Sequence, residues 1–380
     1  MKVWKHAIAA LLASTLRLAS AGDTGTGPNN PEKIGDGVEE EINMNGYAVV
    51  MIALEETSPS AESPTTCTEL FEDIADSYFP IFEYSFGGCA GNITSTDGLY
   101  YIADTSDVIK IDLDLPVEAT GESGVRVRKL LRDSVPLVGA DERHSLGNKG
   151  AGVTVAVLDT GIDNDHPDFP PGTIVHEACF SKNNDCGGAT SAFGFGTAAE
   201  GTGHGTHVAG IIASRGNVAD EGMAPDASIV AIKVLFGPRG SGFTSGIVAG
   251  MDYIANNPNN DPALADVSII NMSLGGGRYT GPCDNADAAT RNFAAAAQRL
   301  LDNNVLTISS SGNGGSTTQI GRPACVSTVV AVGNSDDNDN RAPSSDSNAQ
   351  VDLFAPGTSI VAPYPNAGIA SLTGTSMASP

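Results

Sequence analysis

The sequence predicts an α/β fold, a parallel sheet sandwiched by helices, preceded by a small α+β domain. Three observations carry this reading. After residue 150, short runs rich in Val and Ile alternate with helix-like stretches, the pattern of a parallel sheet covered on both faces. Residues 22–122 carry 21 acidic side chains against two basic ones, whereas residues 130–380 carry 24 against 12, so a strongly acidic module precedes a milder one. A chain of 380 residues also suffices for one large core and a smaller accessory domain. With 41% apolar and 17% charged residues it is not a disordered chain. A net charge of −25 favours solubility and disfavours nucleic acid or anionic membrane as partners, because both would be repelled.

The elements follow in order. Lys2, Lys5 and His6 form a basic start, residues 7–16 are an apolar stretch, and Ala19-Ser20-Ala21 is a small-residue cleavage signature. Residues 1–21 therefore read as a secretory signal peptide. The apolar stretch is too short to span a bilayer, which takes about 20 residues. Residues 22–45, rich in Gly, Pro, Asn and Glu, read as a flexible leader. A small α+β domain begins at about residue 46: a strand at 47–54, helical spacing over 67–78 at Leu70, Ile74 and Ala75, and strands at 99–103 and 108–113. Residues 126–132 form a basic interruption that reads equally as a solvated linker or a processing site. Beyond it, strands are expected at 153–158, 228–235, 267–272, 305–309 and 328–332, with helices at 204–214, 244–256 and 286–302.

Six cysteines in an exported chain point to disulfides, since that route is oxidising. The sequence does not fix their pairing. If the segments separate on maturation, bridges should stay within each, which pairs Cys67 with Cys89 and leaves three pairings for the other four; of these we expect Cys179–Cys186 and Cys283–Cys325. Asn92-Ile93-Thr94 reads as a glycosylation acceptor in a polar loop, while Asn271-Met272-Ser273 ends a buried strand and is expected to stay unmodified.

Three motifs carry chemistry. Asp159-Thr160-Gly161 ends the strand at 153–158, at the carboxyl edge of the sheet, where sites form in such folds. Gly203-His204-Gly205-Thr206-His207 has small residues flanking His204, so that another backbone can approach the imidazole. Its two histidines lack the intervening carboxylate of a zinc-peptidase motif. Gly374-Thr375-Ser376-Met377-Ala378 suits an exposed hydroxyl at a helix start.

Together these motifs, with His166-Pro167-Asp168, resemble the subtilisin-like serine peptidases over about residues 132–380. The chain order Asp, His, Ser is that of subtilisins. The resemblance implies a triad of Asp159, His204 and Ser376 hydrolysing peptide bonds through an acyl-enzyme, with Asn313, in Ser310-Ser311-Gly312-Asn313-Gly314-Gly315, as an oxyanion-hole donor. It implies that Ser273, Leu274, Gly275 and Gly276 belong to a segment binding extended polypeptide substrates. Residues 22–130 match the family's propeptide in position and size, making the chain's own N-terminal part an intramolecular inhibitor; residues 131–380 would be the peptidase domain of a secreted monomer. The cut is expected between about 115 and 135. No cofactor is needed for the chemistry; calcium is common in the family, and Asp168 and Asp352 stand in candidate places without a full ligand set.

Where the family continues with a long helix after the nucleophile, this sequence has four more residues. The resemblance thus implies that it is incomplete at the carboxyl end and that this chain alone has little activity. An alternative reading is an inactive subtilase-like fragment that only binds. Asp-Thr-Gly also marks aspartic peptidases, but the second copy, Asp23-Thr24-Gly25, follows no strand.

Overall fold

The computed structural model describes residues 27–55, 66–120, 122–123, 129–257, 259–336 and 338–380. The signal-peptide residues 1–21 and residues 126–128 of the basic interruption lie outside the described residues.

The main sheet holds eight strands among the described residues. Their order is Ser191–Phe193, Ile174–Phe180, Ser228–Lys233, Thr154–Asp159, Val267–Met272, Leu306–Ser310, Val329–Ser335 and Leu353–Pro356. All neighbours are parallel except Ser191–Phe193, which runs antiparallel to Ile174–Phe180. Successive side chains of a strand face opposite sides. Val155 and Val157 accordingly join Ile229 and Ala231 against Val208, Ile211 and Ile212 of the helix His204–Ala213. Ala156 and Leu158 join Val230, Ile232, Ile270 and Met272 against the helices Thr244–Asn256 and Ala288–Asp302. The sheet is covered on both faces, as the apolar strand runs require.

The N-terminal part is a four-stranded antiparallel sheet in the order Tyr78–Glu83, Cys89–Ile93, Ala48–Leu54, Val108–Leu113. Val50 and Ile52 pack with Leu99 and Ile102 of one flanking helix and Val38 and Ile42 of another. Met51 and Ala53 point the other way, into the core shared with Ile247, Met251 and Phe293 of the large domain. Burial on both faces explains why residues 48–54 form an unbroken apolar run. Asp112 Oδ2 accepts the Ala288 N–H at 2.6 Å, at the start of one large-domain helix. At the start of the other, Asp114 accepts the Ser245 N–H at 3.1 Å and hydroxyl at 2.6 Å. Carboxylates there complement the unpaired N–H groups of a helix N-terminus.

The three expected disulfides, Cys67–Cys89, Cys179–Cys186 and Cys283–Cys325, are all present. Several expectations are corrected. The described part of the leader contains the helix Val38–Asn45, held by buried Val38 and Ile42 one turn apart. The helix expected over 67–78 breaks into Cys67–Leu70 and the 3-10 turn Glu72–Ile74, and Tyr78 already begins a strand. Residues 99–103 are not a strand but part of the helix Thr96–Asp104. Ser95 caps it by accepting the Gly98 N–H, and buried Leu99, Ile102 and Ala103 share one helical face. Asn92 lies inside the strand Cys89–Ile93, between two partner strands, and not in a polar loop. Asn271 is buried at 2% exposure and donates to Ser273 Oγ. Among the described residues no helix is long and apolar enough to cross a membrane.

Candidate active site

The strands at 154–159, 267–272 and 306–310 end at one edge of the sheet, and the chemistry-bearing residues gather there. Asp159, the last residue of its strand, is 1% exposed. Its Oδ1 accepts the Thr160 N–H at 2.7 Å and lies 2.7 Å from His204 Nδ1. That contact fixes the tautomer: with a carboxylate at Nδ1, Nδ1 carries the proton and Nε2 is free to accept one. His204 opens its helix, where the small flanking residues are required. A Cβ on Gly205 would stand 2.2 Å from the Gly161 carbonyl oxygen.

Burial by itself lowers the His204 pKa, but the Asp159 charge and hydrogen bond, with Glu200 further away, outweigh it and hold the imidazole above its ordinary value of 6.5. A general base works only when neutral. A base role for His204 therefore predicts activity that is absent at low pH and rises through a midpoint above 6.5. A pH profile of kcat/KM on a peptide substrate checks this. His207 behaves oppositely: burial pushes it down to about 3, and its Nε2 faces the carbonyls of Ile360 and Ala370 at 3.2 and 3.1 Å. It is a neutral strut between the helix and the hairpin of Ile360–Tyr364 and Gly368–Thr373.

Ser376 lies in the short helix Thr375–Ala378, after Gly374. The Ser273 side chain braces this helix by donating to the Ser376 carbonyl at 3.0 Å and contacting Ser379 Oγ at 2.9 Å. Ser376 is not exposed as expected; it is fully buried. The cover is residues 116–120. The strand Pro116–Ala119 inserts antiparallel between Ser241–Phe243 and Leu274–Tyr279. Leu274 pairs with Ala119 and Gly275 with Glu118. The Ser273 carbonyl accepts the Thr120 N–H at 3.3 Å, and a Cβ on Gly276 would stand 2.9 Å from the Pro116 oxygen. All four residues expected to bind an extended chain thus flank one.

Asn313 follows the strand Leu306–Ser310. Its Oδ1 accepts from both the N–H and the hydroxyl of Thr375 at 3.0 Å. Those donors leave Nδ2 as the group aimed inward, where it donates to the Thr120 carbonyl. The same carbonyl accepts the Ser376 N–H at 3.4 Å. Sequence reasoning missed Thr375 and Thr120. Thr375 stood in a quoted motif, but nothing local shows that its side chain orients Asn313.

The two candidate calcium acids have these partners. Asp168 is consumed by the N–H groups of Asn217, Val218 and Ala219 at 2.6, 2.8 and 2.8 Å. Asp352 Oδ2 accepts the Ala331 N–H at 2.8 Å. Among the described residues no group of three or more His, Cys, Asp or Glu is placed to hold a metal ion.

Residues 150–380 match the sequence profile of the subtilase family. The chain is 36% identical over 250 residues to Subtilisin DY of Bacillus licheniformis, covering 65% of this chain and 79% of that protein. To Subtilisin Savinase of Lederbergia lenta it is 37% identical over 244 residues, or 64% of this chain and 78% of that one. To Subtilisin-like protease 1 of Arthroderma otae it is 34% identical over 307 residues, 78% of this chain but only 56% of that protein, so it spans little more than half of this relative. These similarities do not favour the inert binding-module alternative. With more than half of its length matched, the chain belongs to the subtilase family and is a serine-type endopeptidase.

Proposed function

We propose that this endopeptidase is exported as a proenzyme and cuts polypeptides with Asp159, His204 and Ser376, its own N-terminal part, within residues 22–130, blocking the cleft until removed. The observation that carries the reading is the Thr120 carbonyl, which receives the Asn313 side-chain N–H and the Ser376 backbone N–H. A peptide carbonyl in that place is poised for attack, and the same two donors would hold the oxyanion that attack creates. Ser376 Oγ adds to the carbonyl carbon as His204 Nε2 takes its proton. The proton then passes to the leaving amine, the C–N bond breaks, and water hydrolyses the acyl ester by the reverse proton path. Asp159 holds the imidazole ring and stabilises its charged form.

Export is supported by the reading of residues 1–21 and by three disulfides, which persist in oxidising compartments. The inhibitory role rests on the strand Pro116–Ala119 occupying the substrate path and on Asp112 and Asp114 anchoring the N-terminal sheet to two large-domain helices. Once cut, that sheet keeps those anchors but loses its covalent tether.

The test is hydrolysis of an unfolded protein such as casein by the purified enzyme, with and without a fluorophosphonate. Cleavage abolished by the reagent is expected; cleavage that resists it would contradict a serine nucleophile. Replacing Asn313 by leucine removes one oxyanion donor. It is expected to lower kcat roughly 100–1000-fold, the size known from subtilisin itself, with KM nearly unchanged.

A further inference from the structure

The environment of Thr120 extends the proenzyme reading, on which this inference rests. Thr120 is the one residue whose carbonyl meets both oxyanion donors among the described residues. The chain approaches it as the strand Pro116–Ala119 and leaves it along the hairpin that leads to the nucleophile: Glu122 pairs with Thr373 and Ser123 with Leu372. An uncut polypeptide therefore crosses Ser376 from one side to the other, with Val117 sunk into the core at 1% exposure as an anchor.

The side chain of Thr120 faces the nucleophile. Its Oγ1 lies 2.5 Å from Ser376 Oγ and 2.7 Å from Ser310 Oγ. Ser376 Oγ is also 2.9 Å from the Ser273 carbonyl. A hydroxyl has one proton, and here that of Ser376 goes either to the Ser273 carbonyl or to Thr120 Oγ1. Neither is His204 Nε2, which is buried and has no hydrogen-bond partner among the described residues. The cavity of about 350 Å³ beside Thr120, lined by Gly275, Gly276, Gly312, Asn313 and Gly314, could take a much larger side chain. Threonine turns its hydroxyl onto the nucleophile instead.

We propose that maturation cuts the bond on the carboxyl side of Thr120, and that the Thr120 hydroxyl slows this first cut by holding the Ser376 hydroxyl away from His204. In the step, Ser376 Oγ bonds to the Thr120 carbonyl carbon and the bond to the Gly121 nitrogen breaks. The Ser376 proton travels through His204 to that nitrogen. Water then releases Thr120 as a carboxylate and restores Ser376. The device lets the domain finish folding around its own chain before protease is released.

The experiment follows freshly produced full chain by intact mass and N-terminal sequencing, with Thr120→Val, Thr120→Ser and Ser376→Ala alongside and fluorophosphonate labelling of every sample. The expected new N-terminus is Gly121, absent in Ser376→Ala, appearing at a rate independent of protein concentration. Thr120→Val keeps the shape and removes the hydroxyl, so its precursor should disappear faster, by roughly five-fold for one lost hydrogen bond. Thr120→Ser keeps the hydroxyl and should remain slow. Labelled Ser376 with a different N-terminus, for instance within 126–132, would overturn the assigned bond while leaving the protease reading intact. Gly121 as N-terminus with Val no faster than Ser would overturn the brake. Absence of both label and cleavage in the unaltered chain, and again in a chain extended by the helix that the family carries after the nucleophile, would overturn the protease reading itself.

Discussion

Replacing Ser376 by alanine is expected to abolish both self-processing and the cutting of added protein, with loss of about a million-fold in kcat, the size known for subtilisin itself. The argument is local. Ser376 Oγ lies 2.5 Å from the hydroxyl of Thr120, the residue whose carbonyl is held by the Asn313 and Ser376 N–H groups, and among the described residues His204 Nε2 is left without a partner and so free to accept its proton. Ser310 and Thr120 have hydroxyls in the same cluster, but Ser310 contacts the Leu274 carbonyl and Thr120, and Thr120 supplies the carbonyl that the two N–H donors hold. Stability should change little, since the methylene stays in place and Ser376 loses contacts only to Ser273 and Thr120. Kinetics of casein hydrolysis, with thermal unfolding as the folding control, check both statements. A variant that kept more than about a thousandth of the activity would contradict the assignment.

Replacing Asp159 by asparagine is expected to cost about 10⁴-fold in kcat while leaving the site assembled. The asparagine side chain can still meet the Thr160 N–H and His204, but its amide no longer demands the proton on Nδ1. The imidazole then rests in the tautomer that leaves Nε2 protonated and useless as a base. The pH dependence should change too. Asp159 outweighs the burial that would otherwise lower the His204 pKa. Without that charge the imidazole stays neutral to lower pH, so the acid limb of the residual activity moves down. A limb that stays where it was would mean another group sets it.

Much of the proposed site was legible because its residues sit in short local motifs. Asp159 ends an unbroken apolar strand, His204 stands between glycines that its neighbours require, and Ser376 follows Gly374 and Thr375. The strands 153–158, 267–272 and 305–309 were legible for the same reason: parallel strands buried on both faces are apolar throughout. The strand Ile174–Phe180 was not, since His176 and Glu177 interrupt its apolar pattern. Glu177 is buried only because Asn164, Gly196 and Ala198 donate to it, a partnership with no local signature. The helix Thr96–Asp104 was misread because five apolar or aromatic residues in a row fit either period, and the decisive cap at Ser95 lies outside that run. Thr120 was beyond reach for a deeper reason. Nothing in a residue's own neighbourhood says that it will be cut; that follows from the strand pairings on either side, which join positions more than 100 residues apart.

The most direct test of the account is to trap the nucleophile and map it. The purified enzyme is treated with a fluorophosphonate, digested with trypsin, and the adduct located by tandem mass spectrometry. A single adduct on Ser376, lost in His204→Ala as well as in Ser376→Ala, is the predicted result. An adduct on any other serine, or labelling of Ser376 that is indifferent to His204, would contradict the claim that Asp159, His204 and Ser376 act as one unit.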